Sequence, residues 1–368
     1  MTKVLFLIHD LGQGGAEKVL VNLVNHMDRK KFDISVVSLF GGGVNEQFLN
    51  PEIHYRAVFP KMIPGNTKLM KLLSPKLLHK WFIKDKYDIE ISYLEGPSAR
   101  IISGCQNKET KLVTWIHVEQ HTMKKMAYAF RTYREAVDCY NAFDKIVCVS
   151  QFVKKDFDAL LNYKKDSIVL YNTIESDTVR ELATEECSLN VDSNFKLVAV
   201  GTLKGSKGYG RLLEIIKRLH VECYPIHLYI LGEGPLRENI EKYIQKNGLE
   251  QIVTLLGYQT NPYKYVAKAD LFVCASFAEG FSTAVTESLV LGTPVCTVDV
   301  SGMKELLGEN NEYGIVTENS EEALYEGIKR LIGNPAILNH YNRKAGQRGK
   351  LFDTPNTVNA VEKILIEL

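Results

Sequence analysis

Ala275-Ser276-Phe277-Ala278-Glu279-Gly280-Phe281-Ser282-Thr283-Ala284-Val285-Thr286-Glu287 reads as a strand end, a turn and the start of a helix. Glu279 and Gly280 make the turn. The hydroxyl residues Ser282, Thr283 and Thr286 suit a helix beginning near Ser282, where a side-chain oxygen caps free backbone N–H groups. Such an end can hold a diphosphate through those N–H groups, and the helix dipole adds roughly 0.3–1 kcal/mol. Glu279 lies on one side of that anion. Glu287, more than one turn into the helix, lies on the other. Each carboxylate can accept hydrogen bonds from hydroxyls, one set from a sugar and one from a ribose.

Working outward, apolar strand-like runs alternate with helical patterns along the whole chain. The first half offers strands at Val4–His9, Ile34–Leu39, Tyr55–Phe59, Ile89–Leu94, Leu112–His117, Lys145–Val149 and Ile168–Leu170. The second half offers Lys196–Val200, Leu228–Leu231, Val253–Leu256, Leu271–Ala275, Pro294–Val298 and Gly314–Val316, with helices over 209–222, 235–247, 262–268, 282–291 and 321–332. Continuous apolar strands separated by helices form parallel sheets covered on both faces. Residues 175–194, acidic and rich in Ser, Thr and Asn, read as a connection. The expected architecture is α/β: two doubly wound, Rossmann-like domains facing each other across a cleft. The first spans 1–172 and is completed by a C-terminal helix at 352–368; the second spans 173–351. Ligands of such sheets bind at the carboxyl ends of strands, which is where the motifs fall.

Two further glycine-rich segments follow first strands. Asp10-Leu11-Gly12-Gln13-Gly14-Gly15-Ala16-Glu17 lets the backbone turn tightly toward an anion at a helix start; a plain strand-to-helix turn is the competing reading. A dinucleotide fingerprint would need glycine where Glu17 stands and an acid closing the second strand, where Ser38-Leu39-Phe40 sits, which argues against NAD or FAD. Gly201-Thr202-Leu203-Lys204-Gly205-Ser206-Lys207-Gly208 places lysines in a glycine-rich loop, where a charge-assisted hydrogen bond to phosphate contributes about 1.5–3 kcal/mol. It lacks P-loop spacing, and a solvated loop is its bland alternative.

Composition sets the boundaries. The 368 residues are 45% hydrophobic and 24% charged, without an apolar run long enough to span a bilayer and without a signal peptide. Seven cysteines with no CxxC pair read as reduced core residues, and the expected location is cytoplasmic. The formal charge of +1 conceals a basic first half and an acidic second half. No nucleic-acid partner is expected. Residues 60–86 carry seven lysines and one acid among Met62, Leu69, Leu72, Leu77, Trp81 and Phe82. They form either an amphipathic helix lying on an anionic membrane or a helix packed on the sheet with solvated lysines. Asp156 and Asp158 fall on a helical run, where residues two apart diverge, so they do not share a metal; His117 and His121 lack a third ligand for zinc.

The sequence resembles the retaining glycosyltransferases of family 4, of GT-B fold (glycosyl transferases group 1). The resemblance runs from Gly14-Gly15-Ala16-Glu17 through Asp144–Ser150, the Gly201–Gly208 loop and Asp270–Ser276. It is strongest over Glu279-Gly280-Phe281 to Glu287, Leu291–Val295 and Gly302–Glu305. It implies that Glu279 contacts the hydroxyls of a donor sugar and Glu287 the ribose. Lys207 neutralises the diphosphate with backbone amides at Gly280, Phe281, Ser282, Thr283 and Gly14-Gly15. The base rests near Tyr258, Gln259 and Asn261, and His117, ending Trp115-Ile116-His117, faces the reacting sugar. Family members carry Arg where Thr202 stands, and Lys204 is the nearest substitute cation. The implied activity is metal-independent transfer of a hexosyl unit, with retention, from a UDP- or GDP-linked sugar to a glycan or lipid-linked acceptor in polysaccharide or glycoconjugate synthesis. Two alternatives stand beside it: a non-catalytic nucleotide-sugar-binding subunit and a sugar-nucleotide epimerase of the same fold.

Overall fold

The computed structural model describes residues 1–368 apart from 13, 63, 64, 162, 164, 188, 190–193, 280 and 301. Two compact units divide the chain: Met1–Ile174 with Thr354–Leu368, and Glu175–Asp353. In the first, β1 (Thr2–Ile8), β2 (Phe32–Phe40), β3 (His54–Phe59), β4 (Ile89–Ser92), β5 (Lys111–Ile116), β6 (Lys145–Cys148) and β7 (Ser167–Val169) form one sheet in the order β3-β2-β1-β4-β5-β6-β7. In the second, β8 (Phe195–Val200), β9 (Ile226–Leu231), β10 (Val253–Gly257), β11 (Leu271–Cys274), β12 (Val295–Val298) and β13 (Ile315–Thr317) run β10-β9-β8-β11-β12-β13. Every strand pair is parallel.

The apolar runs become strands because helices cover both faces, so a strand needs no polar alternation. Val4 to Ile8, for example, are all fully buried. Each sheet reverses its winding beside its first strand, between β1 and β4 and between β8 and β11. Connections leaving these neighbours go to opposite sides, which opens a crevice at their carboxyl ends.

Some local expectations differ from the structure. The segment at 60–86 is not one helix but two short ones, Asn66–Met70 and Pro75–Phe82. Pro75 starts the second behind the Ser74 cap, whose hydroxyl accepts the Leu77 N–H. Leu78 and Phe82 pack inward, whereas Leu69, Leu72, Leu77 and Trp81 stay exposed. The helix Pro335–Gly349 has no counterpart among the sequence expectations. It buries only Ala345 and Gly349, too little for a periodic signal. It lies so close to the Thr283–Leu291 helix that a Cβ on Gly349 would meet Leu289 O at 2.3 Å.

The C-terminal helix, Thr354–Ile366, belongs to the first unit. Thr354 Oγ1 donates to Ile174 O at 2.7 Å. Glu362, buried, accepts the Asp28 N–H at 2.6 Å and pairs with Lys31 Nζ at 3.0 Å. Replacing Glu362 by Ala removes the acceptor of that part-buried N–H and should lower the stability of the first unit by about 1 kcal/mol, read from urea unfolding followed by the fluorescence of Trp81 and Trp115, both in that unit.

Candidate functional site

In the second unit the chemistry gathers at the carboxyl ends of β8 and β11, neighbours at the winding reversal. The loop after β8 closes as a single turn over Gly205–Lys207 and then enters the helix Tyr209–Val221 through Gly208, whose φ of +67° favours glycine. A Cβ at Gly208 would sit 1.9 Å from Ala275 O, so only glycine lets this loop rest on the end of β11. The Phe277 N–H donates to Ser206 O at 2.7 Å, a second tie between the loops. Their side chains meet above these contacts. Lys207 Nζ lies 2.6 Å from Glu279 Oε1, and Ser276 Oγ donates to the same oxygen at 2.5 Å. The Glu279 side chain is only 11% exposed, so these partners take the place of water around it.

Arg211 holds the turn from beneath, a role that sequence reasoning missed. Its Nε donates to Ala275 O at 2.7 Å, its Nη2 to Ser276 O at 2.8 Å and its Nη1 to Asn319 Oδ1 at 2.8 Å. The guanidinium lies 4.1 Å from the Phe277 ring centroid. One buried planar cation thus fixes two successive carbonyls just before Glu279.

The helix Thr283–Leu291 begins as expected. Ser282 caps it, its hydroxyl accepting the Val285 N–H at 3.4 Å, and Thr286 Oγ1 donates to Ser282 O at 2.9 Å. Among the described residues the amides of Thr283 and Ala284 have no partner, which leaves them able to bind an anion. Phe281 is buried against Phe352, and Gly280 lies outside the described residues. Glu287 accepts from Tyr263 Oη at 3.1 Å. Thr202 and Lys204 are both exposed.

The three residues expected near a base separate into two kinds. Tyr258 is 70% exposed. Gln259 is tied to Leu256 O at 2.6 Å and to Tyr265 Oη at 3.3 Å. Asn261 is buried with both ends of its amide in use: it donates to Leu182 O at 2.8 Å and accepts the Tyr263 N–H at 3.1 Å. Asn261 is a structural bracket of this loop, and its side chain is not offered to a ligand.

In the first unit a cavity of about 350 Å³ opens at the carboxyl ends of β1, β4 and β5. Asp10, Glu17, Glu95, Gln120 and Lys125 line it. Asp10 pairs with His9 Nδ1 at 2.7 Å and accepts the Gly12 N–H at 2.8 Å. Its carboxyl is held below the usual range chiefly by the His9 hydrogen bond. Gly14 is the N-cap of the helix Gly15–His26, and a Cβ there would lie 1.8 Å from Glu17 Oε2. Nothing lies within 4 Å of a Cβ built on Gly15. His117 is 7% exposed, its N–H donates to Glu95 Oε2 at 3.0 Å, and its ring sits 5.0 Å from that of Tyr93. His117 Nε2 is buried with no partner among the described residues. Burial pushes the imidazole down to about 4, so it is neutral at pH 7.

The carboxylates of the Asp156-x-Asp158 pair serve different neighbours, as helix geometry requires. Asp156 accepts the Gln120 and His121 N–H groups, whereas Asp158 binds Lys154 Nζ and Ser167 Oγ.

Because the neutral form of His117 is favoured in the fold, the unfolded chain takes up its proton first as pH falls. Stability therefore drops between about pH 6.5 and 4 and levels off below. Glu95, raised by burial, works in the opposite direction but is present in both proteins compared. Between pH 7 and 4.5, His117→Gln should lose less stability than the parent, by up to about 3 kcal/mol, read from urea unfolding at each pH.

Comparisons with known proteins follow the two units. The model for glycosyltransferase family 4 matches residues 13–178, and that for glycosyl transferases group 1 matches residues 185–350. A Campylobacter jejuni enzyme, N-acetylgalactosamine-N,N'-diacetylbacillosaminyl-diphospho-undecaprenol 4-alpha-N-acetylgalactosaminyltransferase, is 29% identical over 364 residues, covering 96% of each chain. The lipopolysaccharide core biosynthesis glycosyltransferase LpsD of Rhizobium meliloti is 23% identical over 90% of this chain and 88% of its own. Among solved structures, HepE of Anabaena in complex with UDP superposes with a TM-score of 0.78 at 19% identity, covering all of both chains. A glycosyltransferase from Rickettsia africae gives 0.80 at 17% identity, covering 100% of this chain and 98% of its own. With both sheets wound alike and both family models matched in register with the two units, the chain belongs to the family-4, group 1 glycosyltransferases of GT-B fold.

Proposed function

We propose that the chain transfers a hexosyl unit, with retention of configuration, from a UDP- or GDP-linked sugar to a lipid-linked or glycan acceptor. The observation that carries this reading is the meeting of Lys207 and Glu279 beside the N-terminus of the Thr283–Leu291 helix. In the proposed donor complex the Lys207 ammonium leaves Glu279 for the diphosphate, joined by the amides of Phe281, Ser282 and Thr283. Glu279, released, accepts hydrogen bonds from the sugar hydroxyls. Glu287 binds the ribose and Tyr258 stacks on the base. As the glycosidic bond breaks, negative charge grows on the leaving diphosphate, and Lys207 with the helix end stabilises it. These groups carry the charge in the proposed transfer, and no metal is given a role. Thr202 contributes a hydroxyl where related chains carry Arg; Lys204, exposed in the same loop, is the nearest added cation.

The cavity at β1, β4 and β5 is proposed to take the acceptor, and His117, neutral and with Nε2 free to accept, to bind a sugar hydroxyl. That the Campylobacter relative is named for a diphospho-undecaprenol substrate favours a lipid-linked acceptor here too. In keeping with that, no helix of the described residues is long and apolar enough to cross a membrane, while exposed Leu69, Leu72, Leu77 and Trp81 lie among the lysines of 60–86. We place the chain at the cytoplasmic surface of a membrane.

A panel of UDP- and GDP-sugars screened by thermal shift should identify the donor, and release of nucleoside diphosphate then reads turnover. Lys207→Ala should weaken donor binding by about 10–100-fold, the loss of one charge-assisted contact. Glu279→Gln should keep nucleoside diphosphate binding and lower turnover by about 100-fold or more. Full activity in Glu279→Gln would remove the assignment, and donor binding without turnover in the parent would favour a non-catalytic subunit, the reading that Thr202 leaves open. For the membrane contact, sedimentation with anionic vesicles should occur at low salt and fall steeply as salt rises; no binding at low salt sinks it.

A further inference from the structure

Glu90 is a carboxylate on β4, a strand paired on both sides, and it is only 2% exposed. An ionised carboxylate in such a place requires a positive partner. Two side chains from other elements reach it. His79, on the helix Pro75–Phe82, puts Nε2 at 2.7 Å from Oε2. Cys105, in the turn after the helix Pro97–Ile102, puts Sγ at 3.8 Å from Oε1. One donor atom from each residue lies within 4.8 Å of the other two, and among the described residues no other three His, Cys, Asp or Glu side chains meet this way. The turn is pressed into place: a Cβ on Gly104 would lie 2.1 Å from Pro75 O, at the start of the helix that carries His79.

We propose that His79, Glu90 and Cys105 bind one divalent cation of the zinc class. The donor set decides the class. An imidazole nitrogen, a carboxylate oxygen and a thiolate suit zinc, whereas calcium and magnesium take oxygen shells. The geometry is close to what is needed. Tetrahedral bonds of about 2.0–2.3 Å set neighbouring donor atoms about 3.3–3.8 Å apart. Cys105 Sγ stands at that separation from Oε1, whereas His79 Nε2 stands 2.7 Å from the other oxygen, Oε2, so the carboxylate has to turn and His79 to withdraw for one oxygen to serve the ion. The His79 side chain retains 15% exposure, a route for the ion and for a water as fourth ligand. On binding, the Cys105 thiol gives its proton to solvent and the His79 nitrogen enters unprotonated. The bound ion ties a sheet strand, a basic helix and a turn into one piece. This site is independent of the donor reading and stands or falls apart from it.

The plain alternative is a buried His79–Glu90 ion pair with a thiol nearby. Titrating the reduced full-length chain with Co2+ separates the two. The expected result is a thiolate-to-cobalt charge-transfer band in the near ultraviolet, saturating at one equivalent, displaced by Zn2+, and accompanied by a rise in melting temperature. Cys105→Ala should abolish the band, and His79→Ala should weaken Co2+ binding by at least about 10–100-fold, the range known for lesser, outer-shell changes. Cys105→Ser, which keeps a polar atom in place, repeats the test should the alanine variant fold poorly. No band in the parent overturns the proposal. So does a band that survives in Cys105→Ala or Cys105→Ser, because the metal is then held by other cysteines.

Discussion

The adjacency of β8 and β11 brings together the groups on which the second unit's candidate site rests. Seventy-two residues separate Lys207 from Glu279, yet their charged atoms meet at 2.6 Å because the loops after two neighbouring parallel strands share one crevice. That meeting requires close backbone approach, which Gly208 permits against Ala275 O, and a turn that does not drift, which Arg211 secures through two carbonyls. A lysine and a glutamate left facing each other in a largely buried place neutralise one another.

The first unit applies the same topological rule with different groups. Its reversal, between β1 and β4, also opens at the carboxyl ends and is also edged by a glycine turn into a helix. Here three acids, Asp10, Glu17 and Glu95, share the lining with Gln120 and Lys125; Asp10 is held ionised by His9, and Glu95 is pushed toward its neutral form by burial. His117 stands at the end of β5 as a neutral base, its ring beside Tyr93. That crevice mixes acids with an amide and a lysine, whereas the crevice of the second unit combines a lysine with helix amides that have no partner among the described residues.

Buried charge recurs in both units, and in each case a partner from a distant segment answers it. Glu362 meets Lys31 and the Asp28 amide, which fastens the C-terminal helix to the first unit although 179 residues of the second intervene. Glu90 meets His79 and Cys105. Arg211 meets two carbonyls and Asn319. These contacts specify which segments belong together more than they add stability, because each must offset the loss of hydration on burial.

Sequence alone determined the strands, their parallel character and the strand–turn–helix at Glu279. A strand buried on both faces is a continuous apolar run, and a capped helix start has fixed residue types; both are local signals. Only the tertiary structure decided the rest. Arg211 on an amphipathic helix reads as a solvated charge until β11 is laid beside it. Asn261 reads as a loop ligand until Leu182 and the Tyr263 amide claim both ends of its side chain. The segment at 60–86 reads as one basic helix until Ser74 and Pro75 start a second. His79, Glu90 and Cys105, spaced eleven and fifteen apart, form no motif at all. Contacts between segments distant in sequence depend on strand order, and no local pattern of residues encodes that order.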